Sequence, residues 1–229
     1  MPPYRIKIVH SFHELVTTPF GDGINALCWQ RSLEGDFKEV VEKLATRDGI
    51  TTLEDEPLLN LPLSDAGKTA VKILLEDQRL LREHGLDPQL DCIDGYLRDA
   101  DPGPVPTDVY SFHADSATVE TDTYLCTYFG PSSEGIYNEE AQRKVDIPEI
   151  RSALLQQYGG EDDADFIEWL HDNCFDLHYA PLPEAKPYVF GFGNLWRVAV
   201  EYPGCPVPPC IHRAPETQPG QPPRLLLIS

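Results

Sequence analysis

The chain reads as an α+β protein in which a β-sandwich or barrel carries a layer of helices on one face. Three observations predict this. Residues 1–100 hold the runs with helical periodicity, residues from about 105 to 229 hold a succession of short β-favouring runs, and Pro- and Gly-rich turns separate those runs. With 229 residues, 41% of them hydrophobic and 24% charged, a single domain with a substantial core is expected.

The elements follow in order. Leu33 to Ala45 places Phe37, Val40, Val41 and Leu44 on one helical face. Ser64 to His84 is a second helix: Ser64 is its N-cap, Val71, Leu74, Leu75, Gln78 and Leu81 keep helical spacing, and Gly85 ends it. Between them EDEPLLNLPL (54–63) contains two prolines and reads as a connection, so the first hundred residues form a mainly helical support. DGYLRDADPGPVPTD (94–108) reads as a loop. The strand runs are then VYSFHAD, ATVETDTYLCTYFG, YVFGF, LWRVAVEY, CIHRA and RLLLIS. A helical insert interrupts them from Ile147 to about Cys174, with Pro148 in its first turn, Leu154, Phe166, Ile167 and Leu170 as apolar positions, and Glu161-Asp162-Asp163 as a solvated helix start.

Charge narrows the partners. A formal net charge of −20 repels phosphate, which disfavours nucleic acid and anionic membranes and leaves small molecules or peptides as substrates. Apolar runs such as Leu225–Ile228 are too short to cross a bilayer, and the N-terminus lacks the pattern of a signal peptide, so a cytoplasmic protein is expected. The six cysteines are scattered without zinc-site spacing and read as reduced, mostly buried thiols; Cys205 and Cys210, bracketing CPVPPC, are close enough in sequence to meet.

The chemistry concentrates in His113-Ala114-Asp115. Residues i and i+2 of a strand project to one side, so His113 and Asp115 can converge on one point. An imidazole and a carboxylate there are two-thirds of the facial triad that binds Fe(II) and leaves positions open. His212, in another short β-like run, is the candidate for the third ligand. Arg224, twelve positions further on, opens the last strand with a guanidinium fork suited to a carboxylate.

In this order, H-x-D, a distal histidine and an arginine on the following strand, the chain resembles the Fe(II)/2-oxoglutarate dioxygenase superfamily. Four segments, NALCWQRSL (25–33), FHADSATVETDTYLCTYFGPSSEG (112–135), IHRAP (211–215) and RLLLIS (224–229), resemble more narrowly a bacterial family of that superfamily with no established substrate. The resemblance implies a double-stranded β-helix, that is, a jelly-roll or cupin-like core, with an N-terminal helical layer. It implies His113, Asp115 and His212 as ligands of Fe(II) and Arg224 as the grip on the distal carboxylate of 2-oxoglutarate. It also suggests Tyr128 or Tyr124, on the strand after H-x-D, as a further contact to the keto acid. His212 stands 97 positions after Asp115, which the family pattern accommodates only with an insert at about 138–180.

Two alternatives keep the same barrel: a cupin-like metalloprotein that uses no keto acid, and a binding module without catalysis. A hydrolase has no support, since G-x-S-x-G is absent. The remaining candidates read structurally. His84 suits a helix C-terminus, while His10, His13 and His171 carry no pattern, and His178 is at most a pocket-lining residue. Trp29 and Arg31 are expected to dock the helices on the barrel, Trp196 to fill the core, Arg197 to form a salt bridge or bind an anion, Glu134 to lie on a solvated loop, and Arg213 to point away from the metal.

Overall fold

A computed structural model describes residues 5–44, 49–98, 100–101, 103–217 and 220–229. Its largest element is a seven-stranded sheet. From edge to edge this runs β1 (Ile6–Val9), β2 (Ala26–Trp29), β10 (Leu195–Ala199), β5 (Asp122–Phe129), β12 (Arg224–Ile228), β4 (Gln89–Ile93) and β3 (Ile50–Thr52). Only the β1–β2 pair within it is parallel.

The central strands are apolar on both sides, which places the sheet in the middle of a layered structure. Leu225 and Leu227 of β12 face one way, with Leu27, Leu90 and Cys126. Leu226 faces the other, with Cys28, Leu125, Trp196 and Val198. The first side is covered by α1 (Phe12–Thr17), α2 (Phe37–Lys43), α3 (Asp55–Leu59) and α4 (Asp65–Glu83), which contribute Leu15, Val40, Leu58 and Leu74. Ser64 caps α4 by accepting from Gly67 N, as its sequence position suggests.

The second side meets a smaller sheet made of β11 (Ile211–Arg213), β6 (Glu134–Ile136) and β9 (Tyr188–Val189), in that spatial order. Phe190 and Cys210 pack from it onto Trp196 and Leu226. β7 (Ala141–Arg143) pairs with β8 (Tyr179–Pro181), and isolated bridges through His113 join that pair to β11. Beyond lie α5 (Pro148–Tyr158) and α6 (Ala164–Asp172), around Val105, Val145, Leu154, Phe166 and Leu170.

Arg31 and Trp29 dock the helical layer, as expected. Asp77 of α4 takes a two-point ion pair from Arg31 at 2.6 and 2.7 Å and the Tyr128 hydroxyl at 2.6 Å, while Arg31 Nε donates to Gly193 O at 2.8 Å and its guanidinium covers the Trp29 ring. Trp196 is core, and Arg197 is a salt-bridge residue, held by Asp122 at 2.7 Å.

Several expectations need correction. The first hundred residues hold α1–α4 but also supply β1–β4, which the sequence reading did not anticipate; β2 and β4 lie inside the large sheet, and strands buried on both sides show no alternation to read. Segment 54–63 contains α3, whose Pro57 falls in the first turn, where a missing N–H is tolerated. The helix at 33–45 begins only at Phe37, after its Asp36 cap; its expected end, Ala45, lies outside the described residues. The insert forms two helices rather than one, since Gly159 ends α5 at a φ of 77° and Asp163 caps α6. Ile167 is exposed, and VYSFHAD forms no strand of its own, joining the small sheet through the bridges at His113 and a hydrogen bond of 2.7 Å from Ala214 N to Val109 O.

All six cysteines are free, including Cys205 and Cys210, and Cys28, Cys92, Cys126 and Cys210 are buried. Among the described residues no helix is long and apolar enough to cross a membrane.

Candidate metal centre

Five residues form one row across the smaller sheet. Tyr188 pairs with Gly135, Gly135 with His212, His212 with His113, and His113 with His178. Directly opposed residues of neighbouring strands share a face. Their neighbours Ile211, Phe112 and Ile136 cluster together on the outer side, and His212 lies against Phe190 of the inter-sheet core, so the row faces inward. Gly135 is required there, because a Cβ would overlap the Tyr188 ring.

Asp115, two residues beyond His113, joins the two imidazoles. His113 Nε2 lies 3.8 Å from Asp115 Oδ1, and His212 Nε2 lies 3.7 Å from Asp115 Oδ2. The candidate ligand atoms of all three residues fall within 4.8 Å of one another, the one such group among the described residues. The backbones of His113 and His212 exchange two hydrogen bonds of 2.9 Å, so the relative placement of the imidazoles rests on main chain.

The tautomers are set locally. His113 Nδ1 bonds Ser111 O at 2.8 Å and His212 Nδ1 contacts Cys210 O at 3.3 Å. A carbonyl only accepts, so Nδ1 carries the proton and each Nε2 lone pair faces Asp115. Thr123 of β5 donates to Asp115 Oδ2 at 2.6 Å. Burial, reinforced by the neighbouring His212, pushes His113 down to about 4, which keeps it neutral and able to ligate. Burial alone would raise the Asp115 carboxyl; at the acid pH where it titrates, the positive charge that His212 and His113 gain on protonation, with the Thr123 hydroxyl, overcomes this and holds the carboxyl below its usual range.

This donor set fits a divalent first-row metal: two neutral nitrogens and one anionic oxygen, with other directions open. Metal–nitrogen bonds of about 2.1 Å put adjacent ligands about 3 Å apart. The two imidazole–carboxylate distances of 3.7 and 3.8 Å need to close by less than an ångström, and the widest pair of the group, within 4.8 Å, by at most about 2 Å.

Arg224 is on the inner face of β12, 4% exposed. Its Nη1 donates to the Tyr96 hydroxyl at 3.0 Å, and its Nη2 donates to Thr127 Oγ1 at 3.2 Å and to Ser133 Oγ. Among the described residues it has no ion pair, and its Nε has no hydrogen-bond partner. Burial lowers its pKa, yet a guanidinium stays cationic, so a buried positive charge stands beside a cavity of about 350 Å³ lined by Asp94, Tyr96, Pro131, Thr217 and Arg224. Gly130, at a φ of 78°, allows the approach: a Cβ there would lie 2.7 Å from Pro223 O and 2.8 Å from Arg224 Cα.

Strand geometry relates the two parts. Ser133 is two residues before Gly135, about 7 Å along the strand, and Gly135 is one strand, about 5 Å, from His212.

Tyr124 and Tyr128 do not belong to the site. Both pack on the helical side of β5, Tyr128 stacked on Phe37 with its hydroxyl on Asp77, whereas Thr127 faces Arg224. Glu134 faces outward as the partner of Arg213 at 2.7 Å, so Arg213 turns away from the triad as expected, and Ser133 is the residue of that turn which faces inward. His84 is the C-cap of α4, and His171 sits 3.3 Å from Asp176, both away from the triad. Sequence reading missed Thr123, Ser133, Tyr96 and the closeness of His178. Alternation around Gly135 distinguishes Ser133 from Glu134, but only once the partner strand is known.

No protein-family model, no curated protein and no solved structure matches the chain.

Proposed function

We propose that this protein is a mononuclear non-haem Fe(II) oxygenase that uses 2-oxoglutarate to oxidise a small-molecule or peptide substrate. The observation that carries the proposal is the convergence of His113 Nε2, His212 Nε2 and the Asp115 carboxylate, with both Nδ1 protons turned onto carbonyl oxygens.

Strand order supports a double-stranded β-helix. The large sheet contains the succession β4-β12-β5-β10, and the smaller one the succession His113, β11, β6, β9. Along the chain these segments pass between the sheets as β4, His113, β5, β6, β9, β10, β11 and β12, the winding of a jelly-roll. On this reading β1–β3 and α1–α4 are additions at the N-terminus, and residues 138–180 are an insert.

Bound at this site, Fe(II) and 2-oxoglutarate would supply the electrons that activate O₂. The chain's own residues hold and orient. His113 and His212 each present one lone pair, Asp115 remains ionised, and Thr123 fixes the rotation of the carboxylate. Arg224 receives the distal carboxylate, with the hydroxyls of Tyr96, Thr127 and Ser133 around it. A buried guanidinium without a counter-ion among the described residues is a ready partner for such an anion.

One observation favours the second reading, a cupin-like metalloprotein without a keto acid: Asp94 lines the cavity at Arg224 and would repel a dicarboxylate. Calorimetry under anaerobic conditions separates the two. The first reading expects one Fe(II) per chain, iron-dependent binding of 2-oxoglutarate, and succinate once air is admitted. Metal uptake with no affinity for 2-oxoglutarate selects the second reading, and no metal uptake overturns both.

A further inference from the structure

The insert does more than lengthen the chain. Without residues 138–180, His113 would stand at the edge of the smaller sheet, with β11 on one side and nothing on the other. The insert fills that side. Ala114 N donates to Leu177 O at 3.0 Å and Tyr179 N to Phe112 O at 2.7 Å, which sets His178 directly opposite His113. Cross-strand partners share a face, so His178 belongs to the inward row with His113 and His212. Its ring centroid lies 5.8 Å from that of His113, against 4.8 Å between His113 and His212. His178 is 4% exposed, so its ring is held inside the fold. It is nevertheless outside the group of three whose ligand atoms converge.

The same insert braces the ligand it flanks. Lys144 N donates to His178 O at 2.8 Å, and Lys144 Nζ donates to Ser111 Oγ at 2.7 Å, while the Ser111 carbonyl takes His113 Nδ1. The insert is thus tied both to the third imidazole and to the support of a ligand.

We propose that His178 directs what occupies the open positions of the metal: it stands beside the centre, not in it, and hydrogen-bonds an anionic ligand bound there. This rests on the metal-binding reading of His113, Asp115 and His212, but not on the identity of the co-substrate. The His178 ring stands further from His113 than the His212 ring does, 5.8 against 4.8 Å, and outside the converging group, yet a bound anion projects beyond the metal toward its neighbours. A hydrogen bond to a charged acceptor is about twice as strong as a neutral one, so its loss lowers anion affinity ~10-fold or more.

The test uses the full chain loaded with Co(II), whose visible absorption reports on its ligands, and azide as the anionic probe. H178F, H178N and H178Q are compared with the parent protein; the two amides reproduce the reach of Nδ1 and Nε2. The proposal expects Co(II) affinity within about threefold of the parent in every variant, azide binding weakened ~10-fold or more in H178F, and recovery in one of the amides. Equal azide affinity in the parent and H178F overturns it. So does a loss of Co(II) affinity in a folded H178N or H178Q, which would make His178 a ligand or a structural residue. A parent protein that takes up no Co(II) instead overturns the metal reading beneath it. Far-UV circular dichroism excludes unfolding as the cause of any loss, and the amides carry the test if H178F does not fold.

Discussion

Arg31 grips Asp77 at two points, 2.6 and 2.7 Å, beneath α4, and the Tyr128 hydroxyl closes on the same carboxylate. Both charges are almost fully buried, so the pair joins the helical layer to the large sheet in a medium where an unpaired charge is severely penalised. Asp77→Ala should therefore lower the unfolding free energy by about 3–5 kcal/mol. Replacing Asp77 and Arg31 together by Leu and Met should lower it by less. Urea titration of the single and double variants measures both, and an equal or larger loss in the double variant contradicts the account.

Metal loading should divide the site residues into two classes. His113→Ala removes a ligand and should reduce metal affinity by roughly a hundredfold or more, while Thr123→Val removes only the hydrogen bond to Asp115 and should reduce it about 10–100-fold. Equilibrium dialysis against a buffered metal checks this, with Glu134→Gln as the outward-facing control expected to change nothing.

Arg224→Met should weaken 2-oxoglutarate by at least ~30-fold and leave the metal in place. Because the guanidinium has no counter-ion among the described residues, the same change should leave the ligand-free protein equally or more stable. Calorimetry and thermal melting read the two effects separately.

Gly135→Ala places a methyl group against the Tyr188 ring and should destabilise by about 1–3 kcal/mol. In Gly135→Ala/Tyr188→Leu the loss should be smaller than the sum of the singles, since the clash is removed with the ring. Additive losses in a double-mutant cycle would show that the two do not meet.

Alkali should loosen the fold through its thiols. Burial pushes Cys28 and Cys126 up to about 12 and Cys92 up to about 11, all above the ordinary value of 9.0. Folded pKa values raised in this way contribute stability in full below pH 9, where folded and unfolded thiols are both protonated. That stability is lost as pH rises from 9 toward 11–12, because only unfolded chains release the proton. Near pH 10 the loss is about 1 kcal/mol per thiol. Urea midpoints at pH 8 and pH 10 should differ accordingly, and less so in a Cys28→Ala variant.

Much of this architecture can be read from local pattern. α4 announces itself through Ser64, its apolar stripe and Gly85, and the strands at 122–129, 195–199 and 224–228 through β-branched, aromatic and leucine-rich runs. β2 and β4 were hidden for a physical reason: four or five residues buried on both sides, as in ALCW and QLDCI, carry no periodicity. At the site, His113 and Asp115 follow from i, i+2 alternation alone. His178 does not, because its place depends on which strand the insert lays beside His113. The facing of Tyr124 and Tyr128 depends on the phase of β5: they alternate with the inward Thr123 and Thr127, and residue type alone does not say which of the two sets faces the site.

The depth of Arg224 bears on how a doubly charged anion would arrive. A cation 4% exposed scarcely reaches into solvent, so the approaching molecule first meets the field of a −20 exterior and finds its attraction only at the end of the journey. Encounter should therefore quicken as ionic strength rises and the repulsion is screened, the reverse of the usual behaviour for oppositely charged partners.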